Sequence, residues 1–271
     1  MSNNPQYPYF KNTPSSAQQG AVLIVVLLFL VLIILAGVIA VKQSTTDLRL
    51  ATSDQINTLL LQSADNANQN IEQAINGDSS AGIHNEMLSI SGPFGYFVLQ
   101  PDSAFDEYIF CFRPRDQFFD INRTTISTSG GGTILGAKKG YCDPSQPADY
   151  VSKRSASMTQ VNILLTPPNV DDEAFGSYTI GQDSGEVSSQ AFMFDINSTS
   201  VLPAYADVGD CFEQTSRSGV SGIDSINGCM AEAGVPSTVL YEKANIENRS
   251  SRTTCVNFGK GSGKICTLPS D

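Results

Sequence analysis

Residues 21–41 are apolar without interruption, from Ala21 through a run of valine, leucine and isoleucine to Val41. At about 1.5 Å of rise per residue this block makes roughly 31 Å of helix, the thickness of a bilayer's hydrocarbon core. The pattern then becomes periodic. Ile56, Leu60, Ala64, Ala67, Ile71 and Ala74 or Ile75 recur at intervals of three or four, which is one face of an α-helix. Asp54, Asn57, Asp65, Asn68 and Glu72 fall on the opposite, water-facing side. No proline interrupts residues 21–76, so the spacing predicts one helix of about 84 Å, stopped by Asn76 and Gly77.

Beyond Gly77 the pattern changes to short β-rich runs separated by glycine, serine, proline and asparagine, with no internal repeat. Strands are predicted at residues 96–100, 108–113, 161–166, 191–195, 237–241, 254–258 and 264–268. Residues 116–133, 181–190 and 211–228 read as long loops. The expected fold is α+β: a long N-terminal transmembrane and amphipathic helix packed on one antiparallel β-sheet.

All six cysteines (Cys111, Cys142, Cys211, Cys229, Cys255 and Cys266) follow the apolar block, at spacings too wide for a C-x-x-C metal or redox motif. An even count of this kind predicts three disulfides in an oxidising compartment. The glycine-rich residues 259–263 read as a hairpin loop. Setting Phe258 opposite Gly263 brings Cys255 opposite Cys266. Nearness in sequence suggests Cys111 with Cys142 and Cys211 with Cys229, and the remaining connectivities stay open.

The net charge of -11, from 16 basic and 27 acidic residues, repels phosphate backbones, so no direct binding of nucleic acid is expected. Lys11 is the only cation before the apolar block, and Lys42 and Arg49 follow it, so charge alone does not orient the helix. The cysteines favour an extracytoplasmic C-terminal domain.

Chemistry of other kinds finds little footing. The single histidine, His84, falls in a polar stretch and reads as a surface loop residue, which leaves no catalytic triad. With one histidine and cysteines committed to disulfides, no metal site and no cofactor are expected. Residues 130–139 resemble a phosphate loop only superficially, because Ala137 stands where the lysine must follow Gly136. That stretch reads as a flexible loop. Asp171, Asp172 and Glu173, and the pattern of Asp195, Asn197 and Thr199, lack the glycine and distal glutamate of an EF-hand and read as solvated surface. No enzyme is expected.

Three residues before the block, Gln18-Gln19-Gly20, then Ala21 to Val26, Lys42-Gln43-Ser44 and residues 51–55 (ATSDQ) together resemble a type IV pilus minor pilin of the PilX type. The ending from Thr253 to Gly259 and on to Ile265-Cys266 is also family-like. The resemblance implies a prepilin peptidase cutting after Gly20 and methylation of Ala21. Residues 1–20 would then be a leader, 21–76 the N-terminal helix and 77–271 an extracytoplasmic β-rich domain. Most pilins carry glutamate at the fifth mature position, where this chain has Val25. A carboxylate in hydrocarbon costs about 2.5 to 3.5 kcal/mol unless paired, so pilins keep it for the N-terminus of a neighbour. A subunit without it suits a tip or priming position. Implied partners are other minor pilins, the pilus assembly machinery, the prepilin peptidase and inner-membrane lipid. Assembly residues would be Val25 and the stripe of Ile56, Leu60, Ala64, Ala67 and Ile71.

Two other readings of the N-terminal block remain. A secretory signal has an apolar region of about 7 to 15 residues, shorter than this one, although Val38 and Ala40 offer a small-residue cleavage site. An anchored periplasmic binding or adhesin module needs no peptidase at all.

Overall fold

The computed structural model describes residues 18–77, 82–89, 91–99, 103–130, 132–135, 138–166, 190–217, 219–220 and 222–248. The chain divides into two compact units, Met1–Asp54 and Gln55–Asp271. Helix α1 (Gln18–Asn76) contributes to both. In the first unit residues 21–54 of α1 are exposed on every side, including the whole apolar block.

The second unit holds the core. Six strands, β1 (Glu107–Cys111), β2 (Thr124–Thr128), β3 (Gly132–Leu135), β4 (Met158–Leu165), β5 (Gln190–Val201) and β6 (Ser237–Asn248), form one sheet in the order β3-β2-β1-β4-β5-β6. Every pairing is antiparallel. Short helices α2 (Gly82–Met87), α3 (Gly95–Leu99) and α4 (Ile226–Glu232) complete the unit.

Strand alternation separates two cores. Tyr108, Phe110, Val161, Ile163, Phe194 and Ile196 point to one face, where Ala67, Ile71 and Ala74 of α1 pack with Met87, Phe94, Tyr96 and Phe97. Ile109, Cys111, Met158 and Val201 point to the other, against Phe212, Ile226 and Met230. Both described disulfides lie on this second face: Cys111–Cys142 and Cys211–Cys229, with Cα atoms 4.9 and 5.4 Å apart. Cys111–Cys142 ties the end of β1 to a layer that is rich in turns and poor in regular structure, and Cys211–Cys229 joins the 3-10 turn Gly209–Glu213 to α4 within that layer. The expected architecture of a long apolar helix packed on an antiparallel sheet is thus the one observed.

Several local expectations are corrected. Residues 96–100 were expected as a strand, but residues 95–99 form α3. A five-residue apolar run has no period to separate strand from buried helix. The Tyr96 N–H closes a turn onto the Gly92 carbonyl and starts the helix. The expected loop 116–133 contains all of β2 and the start of β3, and the expected flexible loop 130–139 supplies β3 itself. The stretch 211–228 is built from 3-10 turns (Gly209–Glu213 and Gly222–Asp224) and the first turn of α4, whose Ser225 hydroxyl caps the Gly228 N–H. Strands β5 and β6, both 12 residues long, extend well past the expected bounds. Cys255, Cys266, the hairpin 259–263, the strand candidates 254–258 and 264–268, Asp171 to Glu173 and residues 181–189 lie outside the described residues.

Candidate assembly helix

Helix α1 carries every residue singled out for assembly. Gly20 and Ala21 lie in its first turn, which contains no acidic side chain. Val25 is 52 % exposed and belongs to a run of large apolar side chains, Val22 to Val41, that are exposed on all faces of the helix. A helix apolar all round needs an apolar surrounding, a membrane or other helices. The run is long and apolar enough to cross a bilayer. Past it, Thr45 and Thr46 fold their hydroxyls back onto the Lys42 carbonyl, the usual way a helix satisfies such groups internally.

In the second unit α1 changes character. Leu60, Ala64, Ala67, Ile71 and Ala74 are fully or almost fully buried, whereas Ile56 is only half-buried. Small residues at 64, 67 and 74 let the helix backbone approach the sheet closely. Asp54, Asn57, Asp65 and Glu72 are exposed, but Asn68 is not: 3 % of its surface is accessible. Its Oδ1 accepts a hydrogen bond from the Ser198 hydroxyl at 2.5 Å. Ser63, also buried, lies 2.8 Å from the Thr159 hydroxyl, which is 2.6 Å from that of Ser200. A polar seam therefore runs beside the apolar stripe, and sequence reasoning missed it. Its signal was positional, since Ser63 lies three residues from Leu60 and four from Ala67, on the stripe's own face.

The end of α1 is held by His84, which is buried in α2 rather than on a surface loop. Its Nδ1 lies 2.9 Å from the Ala74 carbonyl, which can only accept, so this nitrogen donates. The bond satisfies one of the carbonyls left unpaired in the helix's last turn.

The second face has its own polar anchors. Glu107, 1 % exposed, accepts from the Thr215 hydroxyl and the Ser216 N–H through Oε1 and from the Asn162 amide through Oε2. Asp149 takes the Arg113 Nε at 2.6 Å and the Asp143 N–H at 3.0 Å. Both carboxylates fasten turn-rich segments to the sheet. Asn197 and Thr199, expected as solvated surface, are buried, and the Asn197 amide donates to Ser216. Asp195 pairs instead with Lys243 across β5 and β6. Among the described residues no three His, Cys, Asp or Glu side chains are grouped to hold a metal ion.

An exposed apolar helix continuing into a stripe buried against an antiparallel sheet defines an α+β protein and fits one that is membrane-anchored. Residues 19–67 match the family model described as PilX N-terminal. The match begins beside Gly20 and ends within the buried stripe, and it supports the likeness to a PilX-type pilin. A PilX N-terminal domain points to a type IV pilus minor pilin, a structural class of protein. The searches among curated proteins and solved structures gave no match.

Proposed function

We propose that this chain is a minor pilin that takes part in the initiation and assembly of type IV pili, within a priming or tip complex. The observation that carries the reading is the match over residues 19–67, because it joins the cleavage position, the apolar block and the start of the amphipathic stripe in one unit. Residues 1–20 act as the leader, the peptidase cuts between Gly20 and Ala21, and residues 21–41 hold the subunit in the inner membrane. The disulfides favour a periplasmic place for residues 77–271.

Within this reading the α1 side chains divide their labour. Leu60, Ala64, Ala67 and Ile71, buried against the subunit's own sheet, fix the helix to the domain, with Ile56 at the margin. Contact with neighbouring pilins and with lipid runs through the exposed apolar section that includes Val25. Without a carboxylate at that position the subunit has nothing to offer the N-terminus of a neighbour, which suits the end of a fibre rather than its shaft.

The experiment is intact-mass analysis of the mature chain. Cells with the prepilin peptidase should yield a chain starting at methylated Ala21, and cells lacking it the uncut chain. A start at Met1 in both strains would remove the pilin reading, and a start at Val41 would establish a secreted protein. For the tip assignment, Val25→Glu should change the subunit's incorporation, scored by pilus number and by immunogold position along the fibre. No change in either would count against it.

A further inference from the structure

Strand β6 pairs with β5 along its whole length and has no second neighbour among the described residues. Among the described residues, one side of this 12-residue strand therefore has no main-chain partner for its backbone N–H and C=O groups. Leu240, Glu242, Ala244 and Ile246 share the helix-side face, since they stand opposite Ser198, Ile196, Phe194 and Phe192. The flank of this edge is acidic. Asp65 and Glu72 on the outer face of α1 act on Glu242, and none of the three joins an ion pair among the described residues. Burial, then Glu72 and Asp65, push the Glu242 carboxyl above its usual range, while Asn68 works the other way.

The sequence that follows has the opposite charge. Residues 249–271 carry Arg249, Arg252, Lys260 and Lys264 against Asp271 alone, in a chain whose net charge is -11. This segment leaves directly from the end of β6, so its cost of approach is small.

We propose that the outer edge of β6 is the docking site of the chain's own C-terminal segment, residues 249–271, with its basic side chains set against Glu242, Glu72 and Asp65. The segment supplies main-chain partners for the edge and cations for its acidic flank. A second copy suits the edge less well: antiparallel pairing of β6 with itself brings two Glu242 carboxylates to one flank. Docking also closes the edge to strand addition by other subunits crowded in the same membrane.

Hydrogen exchange of the full chain in lipid nanodiscs, read by mass spectrometry on peptides from β6, tests the proposal. The outward amides of β6 should be protected in the full chain and should exchange at least about a hundredfold faster once residues 249–271 are deleted, with β4 and β5 unchanged. If the deletion unfolds the sheet, the full-length Glu72→Lys/Glu242→Lys variant reads the same amides and should speed their exchange about tenfold. Unprotected outward amides in the full chain would overturn the proposal, as would protection that survives the deletion. Protection that fades on dilution to one subunit per nanodisc would assign the edge to a second copy instead.

Discussion

The hydroxyls of Ser63 on α1 and Thr159 on β4 lie 2.8 Å apart in the buried seam between helix and sheet, and Ser200 on β5 extends the chain at 2.6 Å from Thr159. Thr159 is the middle member, so Thr159→Val keeps the shape and strands two buried hydroxyls. An unsatisfied buried donor or acceptor costs about 1 to 3 kcal/mol. The variant should lose stability in that range by urea unfolding. Replacing all three, as Ser63→Ala, Thr159→Val and Ser200→Ala, should cost less than the sum of the singles.

Arg113 and Asp149 form the most buried ion pair described, with side chains 4 % and 2 % exposed, whereas Arg123 reaches Asp149 from a side chain 36 % exposed. Removing one partner of a buried pair leaves an uncompensated charge, at about 3 to 5 kcal/mol, whereas a surface partner contributes roughly 0 to 1 kcal/mol. Asp149→Ala should therefore destabilise severely and Arg123→Ala hardly at all, by denaturant midpoints compared at constant m-value.

Gly140 lies where the turn after β3 crosses β1 and β2. A Cβ there would sit 2.3 Å from the Thr125 nitrogen and 2.4 Å from the Ile109 carbonyl oxygen. Both are backbone atoms of paired strands, so neither can swing aside. The Gly140 N–H also donates to the Thr125 hydroxyl at 2.8 Å, which fixes the approach. Gly140→Ala should cost at least about 2 kcal/mol and raise exchange rates in β1 and β2 before those in β5.

How far these features could be read from sequence depends on whether their cause is local. The helix stripe was legible because burial against a sheet imposes a period, and Leu60, Ala64, Ala67 and Ile71 keep it. Strands β4, β5 and β6 announced themselves by apolar and β-branched runs. Strand β2 did not, because Thr124 and Thr125 are buried through hydrogen bonds rather than hydrophobicity: Thr124 accepts from the Tyr108 hydroxyl and Thr125 from Gly140. Strand β3, with an exposed Ile134 amid glycines, has the composition of a loop and gains its conformation from β2. His84 was unreadable for the same reason, since its partner is a backbone carbonyl ten residues earlier. Polar residues spent on tertiary contacts look, in sequence, like polar residues spent on water.

Glu86 gives a pH signature. Burial and, secondarily, the Asp120 carboxylate raise its pKa above the ordinary 4.5, and a hydrogen bond from Gln117 opposes them in part. A carboxyl whose pKa is higher folded than unfolded favours folding while protonated, so its contribution is complete below pH 4.5 and is lost as pH rises through the folded value. Glu86→Gln removes the charge at every pH and keeps the amide's contact with Gln117. The variant should melt higher than the parent at pH 7 and together with it at pH 4, with the gap opening between. Asp120→Asn acts through the same repulsion from the other side, so it should narrow the pH dependence without abolishing it, because burial is the larger cause. Equal pH profiles for parent and Glu86→Gln in thermal melts would mean that water reaches Glu86 freely and that α2 is less closely packed than His84 requires.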